Sequence, residues 1–362
     1  MKILWLAPNF NHYKARFLNH LAKDEDINLT ILSGAGRNNM GDQELVEDWD
    51  FIHIKVDVLK KDFGKSKEVK QQLKSIFGNF DWVLIPAEKK NIPLLLFAGK
   101  LRKQYPNVRL FSYNHAQFKS KKTVLSVLDS ALTRFFYKKL DKVIFYTENA
   151  REKAINQRLI SLHKAFWANN TIDNTEIEKY YSYQLPSQTP TIVFIGRLIA
   201  SKRVKDLIAY YKAIKLELPN LELEIIGDGP EQIHIKNTVE ADKDIKWHGT
   251  LVDEAKIAPI MKRASIVFVP GLSGLSINHA FAYGRSYVTL VADKHGPEIS
   301  YLNHNENGYL LNGNFEENTK AIASLLKNRD KLEQFCNNAM QKGHQLSVSR
   351  WVQQIKLSLV NG

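Results

Sequence analysis

Apolar residues along this chain come in short unbroken runs, each followed by a segment of helical period. KILWLA (2–7), NLTILS (28–33), FIHIKV (51–56), DWVLIP (81–86), VRLFSY (108–113) and KVIFYT (142–147) have the length and density of strands covered on both faces. The second half repeats the pattern with TIVFIG (191–196), LELEIIG (221–227), IKWHG (245–249), SIVFVPG (265–271), SYVTLV (286–291) and GYLL (308–311). Strands alternating with helices predict parallel sheets in an α/β fold. Residues 169–190, rich in Asn, Thr, Ser, Tyr and Pro and without a period, read as a linker. The expected organisation is a doubly wound domain over 1–168, the linker 169–190, a second such domain over 191–342, and a last helical segment over 343–362 that contains WVQQIKLSLV.

Composition fits that division. With 362 residues, 44% of them hydrophobic, the chain is long enough to bury two cores. Cys336 is the only cysteine, so no internal disulfide forms, which points to a reducing cytoplasm. Met1 leads straight into a core-strand pattern with no signal peptide, and the longest charge-free apolar stretch, 92–99, falls short of the ~20 residues a spanning helix needs. The expectation is a soluble protein, attached at most to a membrane surface.

The net charge of +13 is unevenly spread. Between Lys100 and Lys142 eleven basic residues face two acids, Asp129 and Asp141. Within the same stretch Val124, Leu125, Val127, Leu128, Leu132, Phe135, Phe136 and Leu140 recur at helical spacing. Together they predict a basic amphipathic helix suited to an anionic membrane surface. The plainer reading is a solvated face over a core-packing helix. No motif supports nucleic acid as partner.

In doubly wound sheets ligands bind beyond the carboxyl ends of strands, which singles out the loops after Ala7, Tyr113, Gly196, Gly227 and Pro270. Gly196-Arg197, with Lys202 five residues beyond Arg197, ends one strand and precedes a helical pattern starting at Val204. Two cations beside unpaired backbone N–H groups make a seat for a diphosphate. Gly274-Leu275-Ser276 opens another helix, where glycine lets a phosphate approach and the Leu275 and Ser276 amides can hold it. Ser273 is no hydrolase elbow, since Leu275 occupies the position that motif reserves for glycine. Asn11, His12 and Lys14 lie on the loop after the first strand, and His115 lies just past a later one. Asp24-Glu25-Asp26 and Asp242-Lys243-Asp244 carry an Asp-x-Asp pattern amid charged residues and read as surface turns. No Cys or His cluster has zinc spacing, and Gly34-Ala35-Gly36 lacks the third glycine of a dinucleotide fingerprint. No metal or redox cofactor is expected.

FIGRLIASKRVKDLI (194–208), LEIIGDGPE (223–231), WHGTLVDEAKIAPIMKRASIVFVPG (247–271), GLSINHAFAYG (274–284) and HGPEISYLNHNENGYLL (295–311) together resemble the donor-binding domain of retaining GT-B glycosyltransferases, family 4 in particular. The resemblance implies two Rossmann-like domains facing across a cleft, the first binding acceptor and the second a nucleotide sugar. It implies that Arg197 and Lys202 neutralise the phosphates and stabilise the leaving group, that the main chain at His248-Gly249 passes the nucleobase, and that His115 lies near the donor sugar and attacking hydroxyl. His12 and Lys14 would border the acceptor side, and the GDG turn (227–229) is either a cleft wall or a purely structural turn. Glu298, after Gly296-Pro297 and on the same loop as Asp293 and His295, is either a first-turn acid or a group near the donor. Relatives carry two glutamates where this chain has Gly271 and His279. His279 is then either a substitute ligand for the ribose or a packing histidine. The last helix is expected to cross back to the first domain.

The implied activity is transfer of a sugar, with retention, from a nucleoside diphosphate to a hydroxyl of a glycan or lipid-linked glycan. The implied setting is bacterial surface polysaccharide or lipopolysaccharide synthesis at the inner face of the plasma membrane, without bound metal. A nucleotide-sugar epimerase of the same fold, and a non-catalytic partner subunit, are the alternatives. The former would release altered sugar without an acceptor; the latter is motivated by Gly271 and His279.

Overall fold

The computed structural model describes residues 1–36, 48–115, 126–292 and 294–360, the side chains of His12, Tyr13, Ser126 and Val127 excepted. The chain divides into two units, Met1–Asn170 with Val348–Gly362, and Thr171–Ser347.

In the first unit β1 (Lys2–Ala7), β2 (Asn28–Ser33), β3 (Ile52–Lys55), β4 (Trp82–Leu84), β5 (Arg109–Asn114), β6 (Lys142–Phe145) and β7 (Ala165–Trp167) form a 7-stranded sheet of order β3-β2-β1-β4-β5-β6-β7. Its pairings are parallel. Connections run through α1 (His12–Ala22), α2 (Lys67–Ile76), α3 (Ile92–Leu101), α4 (Ser126–Lys138) and α5 (Glu148–Asn156). Period-two alternation divides β1 between two cores: Leu4 and Leu6 join Val69, Leu73, Leu94 and Leu95, while Ile3, Trp5 and Ala7 join Phe17, Leu18 and Leu21.

The second unit holds α6 (Asn174–Glu178), β8 (Thr191–Ile195), α7 (Val204–Lys215), β9 (Glu222–Ile226), α8 (Gln232–Ala241), β10 (Ile245–Trp247), α9 (Glu254–Arg263), β11 (Ile266–Phe268), α10 (Ser276–Ala282), β12 (Ser286–Leu290), β13 (Gly308–Leu311), α11 (Phe315–Lys327) and α12 (Arg329–Gln345). Its 6-stranded parallel sheet has the order β10-β9-β8-β11-β12-β13. In both sheets the winding reverses beside the first strand, between β1 and β4 and between β8 and β11, the place where doubly wound sheets bind ligands beyond the strand ends. Finally α13 (Val348–Val360) packs in the first unit, with Trp351, Ile355 and Leu359 buried beside Phe17, and the Trp351 Nε1–H donating to the Tyr113 hydroxyl at 3.0 Å.

Three features depart from the expected pattern. The strand β7 was not anticipated, because AFW is too short to show a period. The stretch expected as a linker is anchored: from Thr171 it belongs to the second unit, where Ile172, Ile177 and Tyr181 are buried in the core. Its polar residues mislead because arginines fasten its carbonyls, Arg285 holding Gln184, and Arg329 holding Pro186 and Ser187. The expected boundary after residue 342 falls inside α12, and the units part instead between Ser347 and Val348.

Candidate functional site

In the second unit the loops after β8, β11 and β12 meet at the switch point. Gly196 ends β8 at φ +150, and the Lys202 side chain reaches back over it, its Nζ 3.7 Å from where a Cβ on Gly196 would stand. The GDG turn supports this loop from beneath. Gly227, at φ +136, lies so close that a Cβ there would fall 1.9 Å from the Gly196 carbonyl oxygen, so only glycine fits. Of the two readings of that turn, the structural one accounts for its position.

The loop 271–274 leans on the same segment. A Cβ on Gly271 would stand 2.2 Å from the Ser201 carbonyl, and the neighbouring Leu272 N–H donates to that carbonyl at 2.8 Å. The loop is fixed from the other side by His295, whose Nδ1 accepts the Ser273 N–H at 3.1 Å while its Nε2–H donates to the Leu290 carbonyl at 3.0 Å. Gly296 N–H donates to the Ser273 carbonyl at 2.7 Å. A line of hydroxyls continues below: Ser276 to Tyr287 at 2.7 Å, Tyr287 to Ser273 at 3.0 Å, Ser273 to Thr289 at 3.0 Å, and Thr289 to the Val269 carbonyl at 2.7 Å. Every donor in that line has an acceptor, which makes the loop stiff.

Buried Glu298 brings its carboxylate 3.5 Å from where a Cβ on Gly274 would be, and its charge acts on Lys202. Burial and the nearby Arg197 guanidinium push the Lys202 ammonium down to about 8, against the opposing pull of Glu298. Arg197 itself is exposed. On α10, Ile277 N–H is taken by the Gly274 carbonyl at 2.9 Å, while among the described residues no acceptor takes the N–H of Leu275 or Ser276. Lys202 thus stands over Gly196 within reach of the charges of Arg197 and Glu298, and the Glu298 carboxylate borders Gly274, which precedes the two amides. That arrangement suits an anion bearing a polar group.

Two expected ligands have other surroundings. His279 is buried, its Nε2 lies 3.2 Å from Glu254 Oε1, and Tyr283 donates to the same carboxylate at 2.7 Å. These contacts pack the ring against Glu254 and fix α10. His248 is half-buried and its Nε2 lies 2.8 Å from Glu224, a fully buried carboxylate that Arg263 also grips at 2.7 and 2.9 Å. Burial raises the Glu224 pKa, but the bonds from Arg263 and His248 outweigh it and hold the carboxyl below its usual range. The His248 N–H pairs with Ile225, and the Gly249 carbonyl accepts Gly227 N–H. Main-chain contact to a base is left to the His248 carbonyl and Gly249 N–H.

In the first unit His115 stands exposed at the end of β5, its carbonyl held by Asn114 and by the Tyr137 hydroxyl at 3.1 Å, its ring edge-on to Tyr146 at 4.8 Å. Lys14 Nζ donates to the Asn9 carbonyl at 3.0 Å, on the loop where Asn11 caps α1. The side chain of His12 and the whole of Asp293 lie outside the described residues. Both Asp-x-Asp pairs close on a lysine, Asp24 and Asp26 on Lys356, Asp242 and Asp244 on Lys215. Among the described residues no group of three or more His, Cys, Asp or Glu is placed to hold a metal ion, and no helix is long and apolar enough to cross a membrane.

Tyr287, Thr289, Glu254 and the Glu224–Arg263 pair escaped the sequence reading. Their one signal was a polar residue on the inner face of a buried strand or at a helix start.

Two doubly wound parallel sheets give this chain the GT-B fold of glycosyltransferases. A glycosyltransferase from Rickettsia africae ESF-5 superposes on 100% of this chain and 99% of its own, with TM-score 0.70 and 14% identity. Anabaena Alr3699/HepE in complex with UDP and glucose does so over 100% of both chains, with TM-score 0.69 and 16% identity. Residues 177–342 match the family Glycosyl transferases group 1. An uncharacterized glycosyltransferase of Haemophilus influenzae (strain ATCC 51907 / DSM 11121 / KW20 / Rd) is 25% identical over 226 residues, which span 60% of this chain and 60% of that relative.

Proposed function

We propose that this protein is a retaining glycosyltransferase that moves a hexosyl-type sugar from a nucleoside diphosphate to a hydroxyl of a glycan or lipid-linked glycan. The observation that carries the reading is the seat of Lys202, Arg197 and the Gly274 loop, in the segment that matches the family. The complex of Anabaena HepE with UDP and glucose supports a nucleotide-sugar donor of this kind. In the proposed step the bond from the anomeric carbon to the diphosphate breaks and one to the acceptor oxygen forms on the same face. The departing phosphate takes the acceptor proton. Arg197, Lys202 and the Leu275 and Ser276 amides stabilise charge as it builds on the leaving group, where it lowers the barrier most. His115 serves the reacting face, with His12 and Lys14 on the acceptor side. Glu298 touches the sugar, and the main chain at His248-Gly249 lies along the base. His279 acts through α10 and Glu254 as a positioning residue. No metal takes part in this scheme. The setting proposed is surface polysaccharide synthesis in the cytoplasm, at the inner leaflet where lipid-linked acceptors lie.

A thermal-shift panel of UDP, GDP, dTDP and their sugars tests the donor, since a ligand that binds the native state raises the midpoint by mass action. One nucleotide should stand out, and Arg197→Ala and Lys202→Ala should each abolish its shift and lower sugar transfer by about 10²–10³. No shift with any nucleotide would sink the proposal. Gly271, which leaves the place of a family acid empty, favours a second reading as a non-catalytic subunit; there nucleotide binds weakly or not at all, no sugar is transferred, and Arg197→Ala leaves pathway output unchanged.

A further inference from the structure

A pocket of about 410 Å³ opens in the second unit beyond the ends of β12 and β13, where α7 and α11 begin. It has the size of a small-molecule site, roughly 300–1,000 Å³. None of Gly196, Arg197, Lys202, Gly274 or Glu298 lines it, so it is separate from the diphosphate seat. Leu290 and Leu311 at the two strand ends are buried in its wall, and Val291 and Phe315 stand beside them at 54% and 48% exposure. Its only charged lining residues among those described are Arg203 and Asp206.

Each wall is fixed from behind. Phe315 opens α11 under a capping box, in which Asn314 Oδ1 accepts the Glu317 N–H at 2.9 Å and the Glu317 carboxylate accepts the Asn314 N–H at 3.1 Å. The Phe315 ring lies against Tyr210, with centroids 4.5 Å apart and planes 32° from parallel, and Tyr210 is in turn edge-on to Phe268. One face of Phe315 is thereby covered while the rest of the ring stays exposed. Asn318 ties the loop after β13 to α11: it accepts the Gly313 N–H at 3.1 Å, and its amide donates to the Gly313 carbonyl at 2.8 Å and to the Tyr210 hydroxyl at 3.3 Å. Tyr210 is only 4% exposed, yet among the described residues no acceptor takes its own hydroxyl proton. A buried donor left without an acceptor is costly. Arg203 stands at φ +57, in the left-handed region that non-glycine residues rarely occupy, so its place is held against backbone strain. From there its Nε donates to Asp206 Oδ2, while the Arg203 Nη groups and Asp206 Oδ1 have no partner among the described residues.

We propose that this pocket binds a neutral pyranose unit of a glycan, apart from the donor's sugar. Its C–H groups lie on the open face of Phe315, its hydroxyls bridge Arg203 Nη and Asp206 Oδ1, and one ring or hydroxyl oxygen accepts the Tyr210 proton. The charges select this chemistry. Arg203 and Asp206 cancel, so a phosphate meets no net cation, whereas a sugar hydroxyl both donates and accepts and so satisfies the two together. An apolar ligand would cover the same three polar groups and leave them unpaired. A pyranose instead presents weakly positive C–H groups to the negative face of an aromatic ring and polar groups around its rim. The inference rests on the proposed transfer to a glycan for the presence of its ligand, and uses none of the groups assigned to the donor.

The full chain is mixed with the methyl pyranosides of glucose, galactose, mannose and N-acetylglucosamine, and saturation-transfer NMR is recorded with and without excess UDP, GDP and dTDP. At least one sugar should receive saturation, most strongly at the C–H protons of one ring face, and the nucleotides should not displace it. Phe315→Ala and Asp206→Asn should each weaken that binding roughly tenfold. Phe315→Tyr, which keeps the ring, should retain it, and the thermal shift with nucleotide should stay as in the parent chain in all three variants. Saturation of none of the sugars, saturation that the nucleotides abolish, or binding unchanged in both Phe315→Ala and Asp206→Asn overturns the proposal. So does displacement of the sugar by uridine or guanosine with the nucleotides present, which would make this a pocket for a base. The two readings fail separately: sugar bound without any nucleotide shift keeps this pocket and removes the proposed transfer, and a nucleotide shift without bound sugar does the reverse.

Discussion

Gly271 and Ser201 are packed so tightly that a Cβ on the glycine would fall 2.2 Å from the serine carbonyl oxygen, which is already engaged by Leu272 N–H at 2.8 Å. The neighbouring Lys202 backbone is also too close for a side chain, its carbonyl carbon 2.7 Å and its Cα 2.8 Å from the same point. The absence of a side chain at this position is therefore part of how the Gly271 loop and the Lys202 loop fit together.

It follows that placing an acid here should harm the protein. Gly271→Glu is expected to drive the two loops apart, displace Lys202 from Gly196 and abolish the nucleotide-dependent thermal shift. Gly271→Ala should already reduce it. If Gly271→Glu instead bound nucleotide as well as the parent or transferred sugar faster, the close packing would not be what selects glycine here.

Donor affinity should be bell-shaped in pH. On the alkaline side Lys202, pushed down to about 8, loses its charge, so affinity for a diphosphate falls by up to about tenfold per pH unit above that value. Arg197→Gln removes a cation that lowers this pKa, so the alkaline limb should move to higher pH even as affinity drops. Lys202→Gln should remove the limb. On the acid side, burial and Lys202 hold His295 below the ordinary histidine value. Protonation at Nδ1 there removes the acceptor for the Ser273 N–H and frees the loop. Because the folded ring binds its proton more weakly than the unfolded one, this stabilisation is full above the unfolded pKa of about 6.5 and fades as pH falls through the lower folded value. Titration calorimetry with the preferred nucleotide sugar between pH 5 and 10 reads both limbs. A flat profile would contradict the assignment of both residues.

Arg263→Met should destabilise the second unit by about 3 kcal/mol in urea unfolding, because it strips two charged bonds from a carboxylate that is fully buried. Adding Glu224→Leu to that variant should recover much of the loss, since the pair is then replaced by packing. A double variant no more stable than the single one would show that Glu224 does not depend on Arg263.

The sequence by itself determined the architecture. Among the β-strands longer than three residues, those buried on both faces were legible because such a strand must be mostly apolar along its length, as TIVFI and SYVTL are. Gly196, Arg197, Lys202 and Gly274 stood out as candidates too, since cations and bare backbone at strand ends can be read from the chain alone. Spacing along the chain could not say which way a side chain points when several polar partners compete for it. Nothing near His279 in the chain announces that Glu254, 25 residues earlier, holds its ring. Leu128, Leu132 and Phe135 had the period of a core-facing stripe, and only the inward bonds of Asp129 and Thr133 turned them outward. Local pattern decides which element forms. Which of its faces is buried depends on partners distant in sequence, and those meet only in the folded chain.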